Sequence, residues 1–297
     1  MDTTMSTTVD AGIVEIDVSS EELTAGKLNP SKLEAALSAL KTDGVVVLKD
    51  IVSPASIAAL KERTLIDLEA LLNRKDAPFN WTKGNVQQDP PRSSPYLFRD
   101  VLVNDIVISV TKGILGSGMR NGFYSGNTAL PSESRQPVHA DIGQLWPNLE
   151  SVPPPAQLVV NIPLVDMGPE NGSTEIWPGT HLDPEITIQG GDIEVSDERL
   201  AEQSQISPPI QPRVKAGSVV IRDMRLWHAG MPNRTNEPRP MIAMIHSVNW
   251  WPAETVQFPK GTEEFLTHPD LQWNVEFVDG EIDHIATPHG YKEPTDS

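Results

Sequence analysis

Cysteine is absent from this chain of 297 residues. The absence excludes disulfides, thiolate-bound metals, iron–sulfur clusters and cysteine nucleophiles, so any metal has to be held by histidine, carboxylate or water. Long apolar runs are absent as well, and no stretch approaches the roughly 18 apolar residues that a membrane helix needs. The first ten residues lack the basic region and apolar stretch of a secretory signal. We therefore expect a cytoplasmic protein with no membrane partner.

Basic residues are scarce, because 23 Lys and Arg stand against 41 Asp and Glu, for a formal net charge of -18. Such a charge is repelled by the polyanionic backbone of nucleic acids, so we expect no nucleic-acid partner. Aromatic residues make up only 5% of the chain, yet the hydrophobic fraction of 38% includes recurrent apolar runs, so the chain should fold. The expected partner is a small-molecule substrate, and a homodimer is left open.

The chain divides by composition into a polar start, a helical part and a part with β-type patterning. The start is rich in Thr, Ser, Asp and Glu, which predicts a flexible N-terminal arm over residues 1–25. Apolar residues at helical spacing predict helices at about 31–116, whereas short apolar runs between Pro and Gly predict a β core at about 118–250. A C-terminal extension follows at 251–297. We expect one domain over 26–297, mainly β with flanking helices.

Three side chains have the types and the spacing for an iron site. His139 and Asp141 are two residues apart, so on a strand both side chains leave the same face. Neutral imidazole and carboxylate suit Fe(II), and a second histidine would complete a 2-His-1-carboxylate face with open positions for substrate and oxygen. His228 can supply it, because it follows the apolar strand predicted at 217–223 and the loop after that strand. We predict that this triad is both the metal site and the catalytic centre.

The other histidines are better explained by structural roles, although a His-x-Asp triplet by itself decides little. His246 lies inside the apolar strand predicted at 242–248, where a hydrogen-bonded core position is expected. His181 ends a turn, and the same structural role is expected for it. A solvated role is expected for the histidines of the polar C-terminal stretch, which are His268, His284 and His289.

Three segments around these residues resemble the phytanoyl-CoA dioxygenase (PhyH) family, in particular its fungal natural-product oxygenases. The first is QPVHAD at 136–141, and the second is PENGSTEIWPGTH at 169–181, which is similar to the family's ENG…PGSH turn. The third spans 217–239 and has Gly-Ser where the family often has Gly-Asp. It then carries, in family order, Asp223, His228, Asn233 and Arg239. The joint occurrence is more specific than any single segment.

The resemblance implies a double-stranded β-helix, a cupin-like jelly-roll, that uses Fe(II), 2-oxoglutarate as cosubstrate and O₂. In the family, the arginine eleven residues after the distal histidine binds the remote carboxylate of 2-oxoglutarate, and Arg239 holds that place. A guanidinium suits this task because it is planar and stays charged, and Arg234 is the nearest alternative. Gln136 and Thr174 match positions that contact 2-oxoglutarate in fungal relatives. A basic residue nearer the N-terminus often assists the cosubstrate, and the choice stays open among Lys83, Arg92 and Arg99.

The implied reaction converts 2-oxoglutarate into succinate and CO₂ while a small, largely apolar metabolite of a biosynthetic pathway is hydroxylated, desaturated or rearranged. Halogenation is disfavoured, because related halogenases lack a carboxylate at the position of Asp141. The alternatives are an acyl-CoA 2-hydroxylase, a non-catalytic metal-binding cupin-like protein and a zinc hydrolase. Four tryptophans could either line a substrate pocket or pack in the core, and the sequence leaves both roles open. They are Trp146, Trp227, Trp250 and Trp251.

Overall fold

Helices form where a polar cap precedes apolar residues at helical spacing. The computed structural model describes residues 12–191 and 193–285. Asn29, Ser53 and Asn104 each accept a backbone N–H with their side chain at the start of a helix, and proline follows the first two. The helices are Ser20–Ala25 (α1), Pro30–Thr42 (α2), Pro54–Leu72 (α3), Arg99–Leu102 (α4), Asp105–Leu115 (α5) and Asp197–Ile206 (α6).

Strands form where β-branched and apolar residues lie between turns rich in Gly and Pro. They are Glu15–Asp17 (β1), Val45–Lys49 (β2), Phe79–Asn80 (β3), Thr82–Gln87 (β4), Arg120–Ala129 (β5), Gln157–Pro163 (β6), Glu175–Ile176 (β7), Val219–Asp223 (β8), His228–Ala229 (β9), Arg239–Ser247 (β10), Val256–Pro259 (β11), Gln272–Trp273 (β12) and Val275–Val278 (β13). The longest, β5 and β10, pair with each other in antiparallel register. This pair forms the centre of the main sheet.

Nine strands join one mixed sheet in the order β1-β2-β8-β6-β10-β5-β4-β3, with β12 beside β5. The pairs β1 with β2 and β5 with β12 are parallel, and the other pairs of this sheet are antiparallel. A second, short layer consists of β7 paired with β9. The strands β11 and β13 form a separate parallel pair.

The two faces of the large sheet have different surroundings, as strand β10 shows. Ile242 and Met244 are buried in the main apolar core, together with residues of α2, α3 and α5. The alternate residues Met241, Ala243 and Ile245 line a cavity instead, because successive side chains of a strand point to opposite faces. The cavity therefore lies on the face opposite the helices, between the large sheet and the short layer that carries His228.

The ends of the chain differ from the sequence-based expectation. Residues 1–11 lie outside the described residues, but residues 15–25 contain β1 and α1 rather than a flexible arm. Strand β1 docks on β2 because buried Ile16 adds to the main core. In the extension after residue 250, Phe258 and Trp273 are buried in the same core. Among the helices of the described residues, none combines the length and apolar character needed to cross a membrane.

Candidate active site

His139, Asp141 and His228 converge on one side of the cavity. The two histidines exchange backbone hydrogen bonds of 3.0 and 2.9 Å. In place of the strand expected around His139, the structure has isolated antiparallel bridges from His139 to His228 and to Glu194. The Oδ1 atom of Asp141 lies 3.9 Å from Nε2 of His139 and 3.6 Å from Nε2 of His228. One ligand atom from each residue lies within 4.8 Å of the other two. The three residues thus place their ligand atoms close enough together to bind one metal ion.

Backbone carbonyls fix the tautomer of both histidines. Nδ1 of His139 is 2.8 Å from the carbonyl oxygen of Pro137, and Nδ1 of His228 is 3.0 Å from that of Leu226. Because a carbonyl oxygen only accepts, each Nδ1 carries the proton and donates it. Each Nε2 then has a lone pair directed toward Asp141. This is the second-layer support that metal-binding histidines commonly have.

Arg222 holds the carboxylate of Asp141 from the opposite side. Its Nη2 atom donates to Oδ2 of Asp141 at 2.6 Å, which leaves Oδ1 for the two histidines. Burial alone would raise the pKa of Asp141, but the positive charge of Arg222, with His228 and His139, holds it below its ordinary value. Asp141 is therefore an anion at physiological pH. With Oδ2 engaged by Arg222, it offers one oxygen to a metal ion.

His228 is neutral at physiological pH. Burial lowers its pKa to about 3, and the charge of Arg222 acts in the same direction and outweighs Asp141. Neutral imidazole is the form that binds metal ions. Two imidazoles and one carboxylate fit Fe(II) with open coordination positions. The residues present thus match the metal predicted for them.

Arg239 is a buried cation without an anionic partner in the described parts of the chain. Its side chain lies in the cavity wall at the start of β10, and the residue is only 4% exposed. Nη2 donates to the carbonyl of Gly172 at 2.8 Å, whereas Nε and Nη1 find no hydrogen-bond partner among the described residues. Burial lowers the pKa of Arg239 to about 10, so it stays charged near neutral pH. A buried unpaired charge is costly, and the carboxylate of 2-oxoglutarate would supply the anionic partner that Arg239 lacks.

Gln136 and Thr174 both line the cavity that contains the triad. The side-chain oxygen of Gln136 accepts from the backbone of Gly230 at 2.7 Å, and its nitrogen donates to the carbonyl of Asn80 at 3.2 Å. Gln136 therefore braces two loops of the cavity wall. Contact of Gln136 and Thr174 with 2-oxoglutarate stays a prediction.

The basic candidates nearer the N-terminus do not reach the cavity lining. Arg92 forms a buried ion pair with Asp89, Arg99 donates to backbone carbonyls of the C-terminal part, and Lys83 is exposed. The segment contributes Trp81 instead, whose ring centroid is 4.8 Å from that of His139. Sequence reasoning missed Trp81, since an isolated tryptophan in a polar stretch gives little signal for a site.

Outside the triad, the histidines follow the expectations only in part. His246 is buried against Thr111 and His181 is buried against the carbonyl of Lys41, which confirms their structural roles. The solvated role was wrong for His284 and His268, because the side chains pair with Asp67 and Asp105 and are largely buried. His289 lies outside the described residues.

The cavity has a volume of about 550 Å³, within the usual range for small-molecule sites. Of the four tryptophans considered from sequence, Trp251 lines it, Trp227 is buried elsewhere, and Trp146 and Trp250 are exposed. The sequence-based expectation was an apolar substrate, but the walls of the cavity carry many polar side chains. Amide side chains recur along them, namely Asn80, Asn85, Gln87, Asn127, Gln136, Gln157 and Asn161.

Arg222 and, apart from Gln136, these amides were not predicted from the sequence, although the strand residues among them left a signal. Arg222 interrupts the apolar run of β8, and a charged side chain inside a buried strand requires a partner. Asn85 and Gln87 alternate on β4, and Gln157 and Asn161 on β6 point to one face. Alternating polar residues on central strands therefore mark the cavity wall.

Comparison with known proteins gives the same assignment. The model of the phytanoyl-CoA dioxygenase (PhyH) family matches residues 40–241. Dioxygenase ALT11 of Alternaria alternata is 24% identical over 233 residues, which are 73% of this chain and 72% of that protein. The protein matched here is a fungal dioxygenase, in line with the resemblance to fungal members of the family.

Solved structures share the fold. AviO1 from Streptomyces viridochromogenes is 24% identical, with a TM-score of 0.56 over 74% of this chain and 97% of that one. HygX from Streptomyces hygroscopicus, solved with nickel, 2-oxoglutarate and hygromycin B, is 15% identical, with a TM-score of 0.54 over 82% of this chain and 97% of that one. The predicted cupin-like jelly-roll is confirmed. By its sequence match and its His-Asp-His cluster, the chain belongs to the phytanoyl-CoA dioxygenase family and is a non-haem iron dioxygenase that depends on 2-oxoglutarate.

Proposed function

We propose that this protein oxidises a C–H bond of a small metabolite in a biosynthetic pathway, by hydroxylation, desaturation or rearrangement. In the hydroxylation case, substrate, O₂ and 2-oxoglutarate give hydroxylated product, succinate and CO₂, so each of the two organic molecules loses two electrons to O₂. The observation that carries the proposal is Arg239, a buried cation that has unpartnered donors and lines the same cavity as the His-Asp-His cluster. An oxygenase of this class needs both features.

The residues have separate tasks in this proposal. His139, Asp141 and His228 would hold Fe(II), which supplies O₂ activation coupled to decarboxylation of 2-oxoglutarate. Arg239 would bind and orient the remote carboxylate of 2-oxoglutarate, with Gln136 and Thr174 beside it. The backbone bridge between the two histidines keeps their spacing fixed during turnover.

The alternatives receive less support from the same cavity. A coenzyme A thioester would need cations for its phosphates, but the lysines and arginines of the cavity lining are limited to Arg222 and Arg239 in the described chain. Arg222 is engaged by Asp141, and Arg239 is assigned to 2-oxoglutarate. A zinc hydrolase or a non-catalytic cupin-like protein would have no task for an unpaired buried arginine. Neither would release succinate.

The test measures succinate formed from 2-oxoglutarate under air, with and without Fe(II). The wild-type protein should release succinate only with iron, and His139→Ala and His228→Ala should each abolish the release, because a ligand is lost. His268→Gln provides a control histidine remote from the cavity and should retain it. Near-normal succinate release by either alanine variant would refute the ligand assignment.

A further inference from the structure

Three asparagine side chains face the cavity from neighbouring strands of the large sheet. They are Asn85 on β4, Asn127 on β5 and Asn161 on β6. Within residues 12–191 and 193–285, none of these side chains forms a hydrogen bond, although Asn161 is only 7% exposed. An amide that faces a cavity without a protein partner can bind polar groups of a ligand through both its oxygen and its nitrogen.

Two glutamines, Gln87 and Gln157, also face the cavity. Together with Asn85, Asn127 and Asn161 they form what we call the amide wall. Gln87 lies opposite Asn127 in the β4–β5 ladder, and its side-chain nitrogen is 3.3 Å from the hydroxyl of Ser125. The side-chain nitrogen of Gln157 donates to the hydroxyl of Ser247 at 3.1 Å. With their nitrogens engaged in this way, both glutamines chiefly offer a ligand their carbonyl oxygens.

The chemistry of the cosubstrate does not satisfy these groups. Each amide presents an oxygen that accepts and a nitrogen that donates. The 2-oxoglutarate dianion carries only carboxylate and keto oxygens, so it accepts hydrogen bonds but donates none. The amide oxygens of the wall therefore require a second molecule with O–H or N–H groups, and that molecule is the substrate.

The charged side chains of the cavity lining further restrict the class of substrate. The acidic and basic side chains among the described residues of the lining are Asp141, Arg222, Arg239 and Glu254. Asp141 and Arg222 pair with each other, Arg239 is assigned to the cosubstrate by the proposed function, and Glu254 is exposed. The amide wall itself is uncharged, so it favours a neutral molecule over an ionic one.

Aromatic rings complete the other side of the cavity. Trp81, Phe123 and Trp251 line it and offer flat apolar faces. A saturated ring with hydroxyl groups has the matching character, because its O–H groups lie at the edge and its C–H bonds form the faces. From this juxtaposition we infer that the substrate is a neutral polyhydroxylated ring, such as a glycoside or cyclitol unit, whose hydroxyl groups bind Asn127 and Asn161. The inference rests on the proposed function, and it replaces the apolar metabolite expected from sequence.

The test compares cyclohexanol, 1,2-cyclohexanediol and myo-inositol, which share one ring and carry increasing numbers of hydroxyl groups. Their binding to the protein loaded with Fe(II) and 2-oxoglutarate under anaerobic conditions is measured by saturation-transfer NMR. Affinity should rise with the number of hydroxyl groups. An affinity that falls along the series, or no binding by any member, would overturn the inference.

Substitutions in the amide wall test whether its asparagines cause the preference for ligands with more hydroxyl groups. Asn127→Leu combined with Asn161→Leu keeps the side-chain size but removes the polar atoms, so myo-inositol should lose about tenfold in affinity for each hydrogen bond lost. Gln205→Leu, on the exposed helix α6, is the matched control and should change nothing. An unchanged preference in a folded double variant would contradict the assignment. If the double variant does not fold, the wild-type series alone decides.

A separate readout distinguishes this inference from the proposed function. Succinate released from 2-oxoglutarate without any substrate reports iron and cosubstrate chemistry only. If iron-dependent succinate forms but the hydroxyl series shows no preference, the substrate class is wrong and the proposed function stands. If no succinate forms under iron, the proposed function itself fails.

Discussion

At the scale of single residues, the site is organised by the groups behind the ligands. Carbonyls at Pro137 and Leu226 fix the histidine tautomers, and Arg222 fixes which oxygen of Asp141 faces them. Each of these contacts uses a strong backbone or charge-assisted hydrogen bond, so little freedom is left to the donor atoms. Arg239 is the opposite case, since its Nε and Nη1 atoms are buried and have no hydrogen-bond partner in the described chain.

Arg239→Ala should weaken 2-oxoglutarate binding by about 2–5 kcal/mol, or a factor of about 30 or more, because a buried carboxylate loses its charged partner. Titration calorimetry of 2-oxoglutarate into the metal-loaded protein measures this. The matched control is Arg234→Ala, whose side chain is 61% exposed and paired with Glu133, and it should leave the affinity within about twofold. An effect at Arg234 and none at Arg239 would transfer the role to Arg234.

Arg222→Met should reduce metal affinity by about 10–100-fold, the usual consequence of losing a group that orients a ligand. The reason is that Asp141 would lose the contact that holds its ionised carboxylate in place. Competition titration with Mn(II) provides the measurement, and Arg222→Lys should restore part of the affinity. Full affinity in the methionine variant would show that Arg222 does not position Asp141.

At the scale of elements, strand β10 serves the core with one face and the cavity with the other. His246 lies on the core side, where Nδ1 is 2.9 Å from the hydroxyl of Thr111 on α5. Burial, with a smaller contribution from His268, lowers its pKa to about 3. Thus the contact between β10 and α5 contains a histidine that is neutral in the folded protein.

The free energy of unfolding should depend on pH through His246. Between the ordinary pKa of 6.5 and about 3, the unfolded chain binds the proton and the folded chain does not, so stability falls as pH falls below about 6.5. The contribution approaches about 1.4 kcal/mol per pH unit within that window. Urea unfolding of wild type and His246→Phe between pH 6.5 and 4.5 measures it, and the variant should show a flatter profile. Parallel profiles would mean that His246 is already charged when folded.

At the scale of the whole molecule, the active site lies between two layers, and residues of both layers line it. Arg239 belongs to the large sheet, whereas His228 belongs to the short layer opposite it. Ligands that contact both layers should therefore stabilise the entire fold. The net charge of -18 destabilises the folded state by self-repulsion, and ligand binding would offset part of this effect. A homodimer stays a prediction that analytical ultracentrifugation would test.

Loading with Mn(II) and then 2-oxoglutarate should raise the melting temperature in two steps. A ligand that binds only the folded state adds about 2.7 kcal/mol at a concentration of 100 Kd, which corresponds to roughly 5–10 °C for a domain of this size. Thermal unfolding followed by circular dichroism measures both steps. Arg239→Ala should keep the step due to metal and lose the step due to 2-oxoglutarate. Loss of both steps would indicate a structural role for Arg239.

Local spacing made much of the protein predictable. The helical periods after residues 30 and 53 and the strand patterns of β2, β8 and β10 follow from side-chain periodicity, which is a property of neighbouring residues. Within the flexible arm predicted over 1–25, the described residues 15–25 form β1 and α1, and the strand predicted around His139 is replaced by isolated bridges. In both cases pairing with distant strands or loops, rather than local pattern, decided the conformation.

The sequence by itself determined the family, the triad His139, Asp141 and His228 as candidates, and Arg239 as the candidate partner of 2-oxoglutarate. These assignments depend on motifs and short spacings, which can be recognised from residues that are close together in the sequence. Only the tertiary structure decided that Arg222 meets Asp141, that Trp81 covers His139, and that amides from separate strands form one wall. The physical reason is that such contacts arise from non-local strand pairing, which fixes neighbours that no local spacing specifies.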